Sequence, residues 1–348
     1  MVDSRRTLKS ILEVLQGGAA FLERKGVESA RLNMEHLLAH ALGLKRMDLY
    51  LQFDRPLSEE ELVPLREWTA RRAAGEPLQH LLGTVDFYRF TFKTDARGLI
   101  PRPETEELVE KIIDRCRLCP PARVLDMGCG SGVIGLSLAA AFPAATVMLA
   151  DFSADALSLA RENAVLAAAQ VAVEPAARGC LPLGEAAVGG LLAEGADAVD
   201  AVDAVDAVDA VDAVDAAESR RSGFTGRLTF VETDLFSVWA GDVPAAGFDV
   251  LAANLPYIPR AEVATLSREV QKDPVMALDG GEEGVELMER FIAMAPDYCA
   301  PGALIALEHG PDQGGRVAEL LARAGFAQIV VQCDLSGRER FTFGVAPK

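Results

Sequence analysis

The chain has 348 residues, half of them hydrophobic, and a formal net charge of −18. That balance excludes a protein whose main work is gripping bare phosphate backbone and favours a protein partner, with no direct nucleic-acid binding expected. No apolar run approaches the roughly 20 residues of a membrane helix. The N-terminal MVDSRRTLKSILEVL lacks the apolar block and small-residue cleavage site of a signal peptide, so a cytoplasmic protein of two domains is expected.

Residues 1–82 read as a helical domain. Leu8, Ile11, Leu12 and Leu15 share one helical face, and a second helix runs from about Ser29 to Leu42. His36 and His40 stand there at a metal-compatible spacing, but no third ligand is adjacent and no metal is expected. The lone Cys116-x-x-Cys119 has no second pair, which gives the same expectation. A third helix opens at Ser58, where Ser58 and Glu61 have the spacing of a capping box, and Gly75-Glu76-Pro77 ends it. Over 83–99 the period-two run TVDFYRFTFKT predicts a linking β-hairpin that switches register near Tyr88-Arg89. Pro101 and Pro103 then stiffen an extended segment ahead of a helix over Thr105–Ile113.

From Arg123 strands and helices alternate. VLDM, TVMLA, LTFV, FDVLAA, ALIALE, QIVVQC and FTFGV read as strands, with helices over Gly132–Phe142, Ser153–Ala168, Gly284–Tyr298 and Gly314–Ala324 between them. Seven strands in that rhythm predict a doubly wound α/β sheet over 100–348, its last strands an antiparallel edge pair. One stretch breaks the rhythm. Ala198–Asp215 repeats Ala-Val-Asp six times within an Ala-, Gly- and Asp-rich segment from about 171 to 224. A three-residue period matches neither a helix nor a strand, so the segment reads as a low-complexity insertion, mostly disordered.

Two stretches carry chemistry. DMGCGSG, Asp126 to Gly132, follows a strand and opens a helix; its glycines let a ligand approach the backbone, and the helix N-terminus favours negative charge. It overlaps the fingerprint Gly130-x-Gly132-x-x-Gly135, with Asp151 about 20 residues on. The loop alone is therefore compatible with a dinucleotide, with S-adenosylmethionine or with an empty tight turn. In either ligand case Asp151 can accept from ribose hydroxyls, and Asp234-Leu235 after the third strand can flank an adenine.

The second stretch is Asn254-Leu255-Pro256-Tyr257, after the fourth strand. A planar NH₂ group is a poor nucleophile, so a site that methylates one must hold both N–H bonds. The Asn254 side-chain oxygen and the Leu255 carbonyl supply two acceptors, Pro256 biases Leu255 to an extended conformation, and Tyr257 can stack on a flat substrate. A bare Asn-initiated turn is the alternative.

These motifs resemble the HemK-type release factor glutamine methyltransferases. The resemblance rests on GEPLQHLLGTVDFYRFTF, LIPRPETEELVE, VLDMGCGSG, ADFSADALSLARENA, FDVLAANLPYIP, ALDGGEEG and LEHGPDQG. It implies a class I, Rossmann-like methyltransferase domain with a seven-stranded sheet, and an N-terminal helical domain that docks the partner. It also implies N5-methylation of the glutamine in the Gly-Gly-Gln motif of peptide-chain release factors, with S-adenosylmethionine as donor. Gly128, Cys129, Gly130, Ser131, Gly132, Asp151, Asp234, Leu235 and Asn254 would then bind the donor, and Asn254 to Tyr257 the glutamine amide. The chain departs from the family's usual NPPY at Leu255, a form shared with rRNA adenine dimethyltransferases. Methylation of an adenine N6, or of a ribosomal-protein glutamine, therefore stays open.

Overall fold

The computed structural model describes residues 9–173, 221–239 and 247–347. Leu8 and the Ala-Val-Asp repeat lie outside them.

Helices α1 (Ile11–Arg24), α2 (Ala30–Leu42), α3 (Glu59–Ala73) and the short α4 (Leu78–Leu82) open the chain. The first helix starts at Ile11 because Ser10 caps it, accepting from the Glu13 amide while Glu13 reaches back to the Ser10 amide. The expected cap at Ser58 forms in the same way. A 3₁₀ turn over Arg46–Leu51 and α4 were not anticipated; each is too short to show a period. These elements bury a cluster of their own, built on Ile11, Leu15, Leu22, Met34, Leu37, Leu38 and Leu49.

Strands β1 (Thr84–Phe87) and β2 (Phe90–Lys93) pair antiparallel across Phe87↔Phe90, so Tyr88 and Arg89 form the turn. Tyr88 alone takes a positive φ, +55°. The hairpin's free edge is held by side-chain amides of α7 (Ala154–Val173). Asn163 Oδ1 accepts from the Lys93 amide at 2.7 Å and Nδ2 donates to the Lys93 carbonyl at 3.1 Å; Gln170 does the same at Thr91. Two amides seven residues apart on one helix face thus stand in for a neighbouring strand.

The main sheet has seven strands in the order β5-β4-β3-β6-β7-β9-β8. These are β3 (Arg123–Met127), β4 (Thr146–Asp151), β5 (Leu228–Glu232), β6 (Phe248–Ala253), β7 (Cys299–Glu308), β8 (Ala327–Cys333) and β9 (Glu339–Val345). The first five pair in parallel; β9 runs antiparallel to both β7 and β8. Alternation sorts the residues into two cores. Val124, Ala252 and Ala306 pack with α5 (Pro103–Cys116), α6 (Val133–Ala141) and α7 on one face. Leu125, Leu251 and Ile305 pack under the Glu286–Met294 and Gly314–Arg323 helices on the other.

The insertion is shorter than its composition suggests. Helix α7 runs on to Val173, with Val171 packed against the first core, and Phe224 is buried in that core. The Ala-rich end of α7 packs because Ala164, Ala167 and Ala168 allow close approach to the sheet, which composition alone hides.

Candidate active site at the carboxyl edge of the sheet

Register builds the site. The pairs Val231↔Ala150, Ala150↔Met127, Met127↔Ala253 and Ala253↔Leu307 align one row across the parallel strands. One residue further along are Glu232, Asp151, Gly128, Asn254 and Glu308. The glycine loop and the NLPY turn therefore leave adjacent strands side by side, at the strand ends where ligands bind in open α/β sheets.

A cleft opens there. Its walls include Gly128, Cys129, Gly130, Ser131, Asp151, Asp234, Leu235, Asn254, Leu255 and Pro256. Gly132 sits behind them, closed in by Ala160, Leu136 and Leu149. The loop needs its glycines for conformation: Gly128, Gly130 and Gly132 have φ of +68°, +53° and +84°. Asp151 pins the loop from the next strand, Oδ2 accepting from the Gly130 amide and Oδ1 from the Ser153 amide, both at 2.8 Å. Burial pushes the Asp151 carboxyl up while those amides pull it down. Each oxygen keeps a lone pair for a further donor. Asn163 ties the same loop to the hairpin by donating to the Ser131 carbonyl at 2.9 Å.

Asp234 is otherwise occupied, since its carboxylate accepts from Arg290 at 2.9 and 3.1 Å. Leu235 takes a left-handed φ of +51°, its carbonyl held by Thr233 Oγ1 at 2.9 Å. Tyr257 is not part of the cleft wall. It packs against the second core, Gln313 Nε2 donates to its carbonyl at 2.9 Å, and burial beside Glu308 pushes its phenol up to about 12. His40, from the histidine pair, lies against the Trp68 ring at 5.0 Å.

Sequence reasoning missed several residues here. Asp126 is fully buried; Oδ2 accepts from the Gly135 amide at 2.8 Å and Oδ1 has no protein partner. Arg97, Gly98, Leu99 and Arg102, from the segment after the hairpin, line the cleft, as do Phe152 and the Pro274–Ala277 turn. That turn is anchored by Asp273, which accepts from Arg102 at 2.7 Å. Thr105 and Glu308 stand behind Asn254, with Thr105 Oγ1 at 3.0 Å from Asn254 Nδ2 and 2.7 Å from Glu308 Oε2. The signal for both lay in LIPRPETE and LEHGPDQG, where a polar residue follows or opens a buried element.

A glycine loop, a carboxylate one strand over and an Asn-initiated turn at the head of a seven-stranded sheet define the class I S-adenosylmethionine-dependent methyltransferase fold. Residues 13–83 match the family model described as PrmC N-terminal domain, and residues 105–178 match Methyltransferase small domain. A release factor glutamine methyltransferase of Geobacter sulfurreducens is 34% identical over 97% of this chain and 96% of its own length. Those of Chlorobaculum tepidum and Deinococcus radiodurans are 33% and 34% identical over 95% and 94% of this chain, and 95% and 96% of their own lengths. The chain belongs to the release factor glutamine methyltransferase family.

Proposed function

We propose that the protein methylates N5 of the glutamine in the Gly-Gly-Gln motif of peptide-chain release factors, working beside them in the cytoplasm. The observation that carries this reading is the register that sets Gly128 and Asn254 side by side, because transfer needs the methyl carbon and the attacking nitrogen held roughly 3–3.5 Å apart. Among the described residues no helix is long and apolar enough to cross a membrane.

The cleft fits S-adenosylmethionine, which supplies an electrophilic methyl when bound. A Cβ at Gly130 would meet nothing within 4 Å, so the loop backbone faces open space. Gly128 to Gly132 would present that backbone to the methionine part. Asp151 would accept from the ribose, and Leu235, with Ile134 and Ala156, would enclose the adenine. Asp234 would contribute backbone, its carboxylate being paired. On the acceptor side, Asn254 Oδ1 and the Leu255 carbonyl would each accept one N–H of the substrate amide and turn its nitrogen toward the methyl. Pro256 shapes the turn, and Tyr257 supports it from the core. The rate comes from orientation and fixed dipoles. The helical segment 1–82 serves as the docking surface for the release factor.

The experiment is methyl transfer from labelled donor to purified release factor, with the loop glutamine intact or replaced by alanine. Label is expected on the intact factor alone. Label on RNA would establish the adenine alternative, and label on a ribosomal protein the other. Asn254→Ala is expected to slow turnover by roughly a hundredfold or more while shifting donor affinity only modestly. Undiminished turnover in that variant would contradict the assigned role.

A further inference from the structure

Asn254 carries a carboxamide, and only one end of it can serve the reaction. An incoming glutamine NH₂ needs an acceptor, so Oδ1 must face the cleft and Nδ2 must face away. We propose that Thr105 and Glu308 are positioning residues that fix the Asn254 carboxamide in this orientation. This rests on the proposed glutamine-methylating reading of the site.

The argument is one of proton counting. A hydroxyl has a single proton and free lone pairs. Thr105 Oγ1 lies 2.7 Å from Glu308 Oε2, and an ionised carboxylate can only accept, so the Thr105 proton points there. That leaves a Thr105 lone pair directed at Asn254, 3.0 Å away, where it accepts from Nδ2. The chain of bonds runs one way: Asn254 donates to Thr105, and Thr105 donates to Glu308. Reversing the amide would leave Oδ1 against an oxygen with no proton to give. Water does not compete for these groups, since Thr105 is 3% exposed and Glu308 1%.

The fold makes the arrangement from distant parts of the chain. Thr105 stands in the first turn of α5, Asn254 follows β6, and Glu308 ends β7, in the row set by Ala253↔Leu307. Burial pushes the Glu308 carboxyl up to about 7; the Thr105 hydroxyl, Arg340 from β9 and the Asn254 amide pull it down, and Glu104 from α5 pushes it up. Tyr257 is the other titratable group facing it. Protonated Glu308 would become a donor to Thr105. The Thr105 proton would then be free to turn to Asn254 and favour the reversed amide. Turnover should therefore rise with pH as Glu308 ionises.

Three variants of the full-length protein test this, each assayed for methyl transfer to release factor and, separately, for donor affinity by calorimetry. Thr105→Val keeps the shape and removes the hydroxyl; kcat is expected to fall roughly a hundredfold, with KM for the release factor and donor Kd within about threefold of wild type. Thr105→Ser restores the hydroxyl and is expected to recover most of the lost rate. Glu308→Gln cannot ionise and is expected to lack the rise in kcat with pH that the proposal expects of wild type. A merely structural tie between α5 and β7 would not move that profile. Full kcat in Thr105→Val, or an unchanged pH rise in Glu308→Gln, overturns the proposal while leaving the release-factor reading intact. Wild type that labels no release factor overturns both.

Discussion

The Leu255 side chain closes onto Gly128: a Cβ added to Gly128 would stand 2.8 Å from Leu255 Cδ2. The residue that departs from the family's usual proline is thus packed, 3% exposed, against the glycine loop. The turn that would hold the acceptor and the loop that would hold the donor are in direct contact, so neither can shift alone.

Gly128→Ala would strain a backbone at φ +68° and drive a methyl into Leu255. The two costs together come to roughly 2–4 kcal/mol. Denaturant unfolding should show that loss, and donor affinity should weaken. Adding Leu255→Ala should return about 1 kcal/mol or more, the coupling of residues in contact. Strictly additive effects of the two changes would refute the contact.

Asp126 predicts a pH signature in stability. Burial pushes its carboxyl up to about 7, with Asp151 adding to the push and the Gly135 amide opposing it. A carboxyl raised on folding binds its proton more tightly in the native state, so stability is lost as pH rises from the unfolded value toward 7. Asp126→Asn removes that slope. Its stability relative to wild type should grow between pH 4 and 8 by up to about 4 kcal/mol. Parallel stability curves for the two proteins would contradict this.

The two amides that staple the hairpin should differ sharply. Asn163 is fully buried and serves three backbone groups, two on Lys93 and the Ser131 carbonyl of the glycine loop. Asn163→Ala should cost roughly 2–4 kcal/mol and weaken donor binding. Gln170 makes its bonds at the exposed end, so Gln170→Ala should cost less than about 1 kcal/mol. Similar melting shifts for the two would show that burial does not set the cost.

Arg72 bridges the helical segment and the loop that lines the cleft. It is buried, donating to Asn33 Oδ1 at 2.7 Å, to the Glu76 carbonyl at 3.0 Å and to Glu269. Arg72→Ala strips the buried Asn33 oxygen of its donor and should cost roughly 1–3 kcal/mol. Glu269 is 42% exposed, and Glu269→Gln keeps an oxygen acceptor for Arg72, so it should cost less than about 1 kcal/mol. Thermal denaturation of both variants checks the asymmetry.

The sequence by itself determined the alternation of strands and helices, the hairpin, the cap at Ser58, and the two motifs that line the candidate site. Each of these is local: a period, a cap or a glycine turn is written within a few neighbouring residues. Tertiary structure alone decided that Asn254 meets Thr105 and Glu308, that Asp234 is spent on Arg290, that Tyr257 supports the turn from the core, and that Phe224 belongs to the folded body. Those outcomes depend on strand register and on which helix covers which face. Partners such as Thr105 and Glu308 come together only when β3, β6 and β7 align, and no pattern along the chain encodes a hydrogen bond between residues two hundred positions apart.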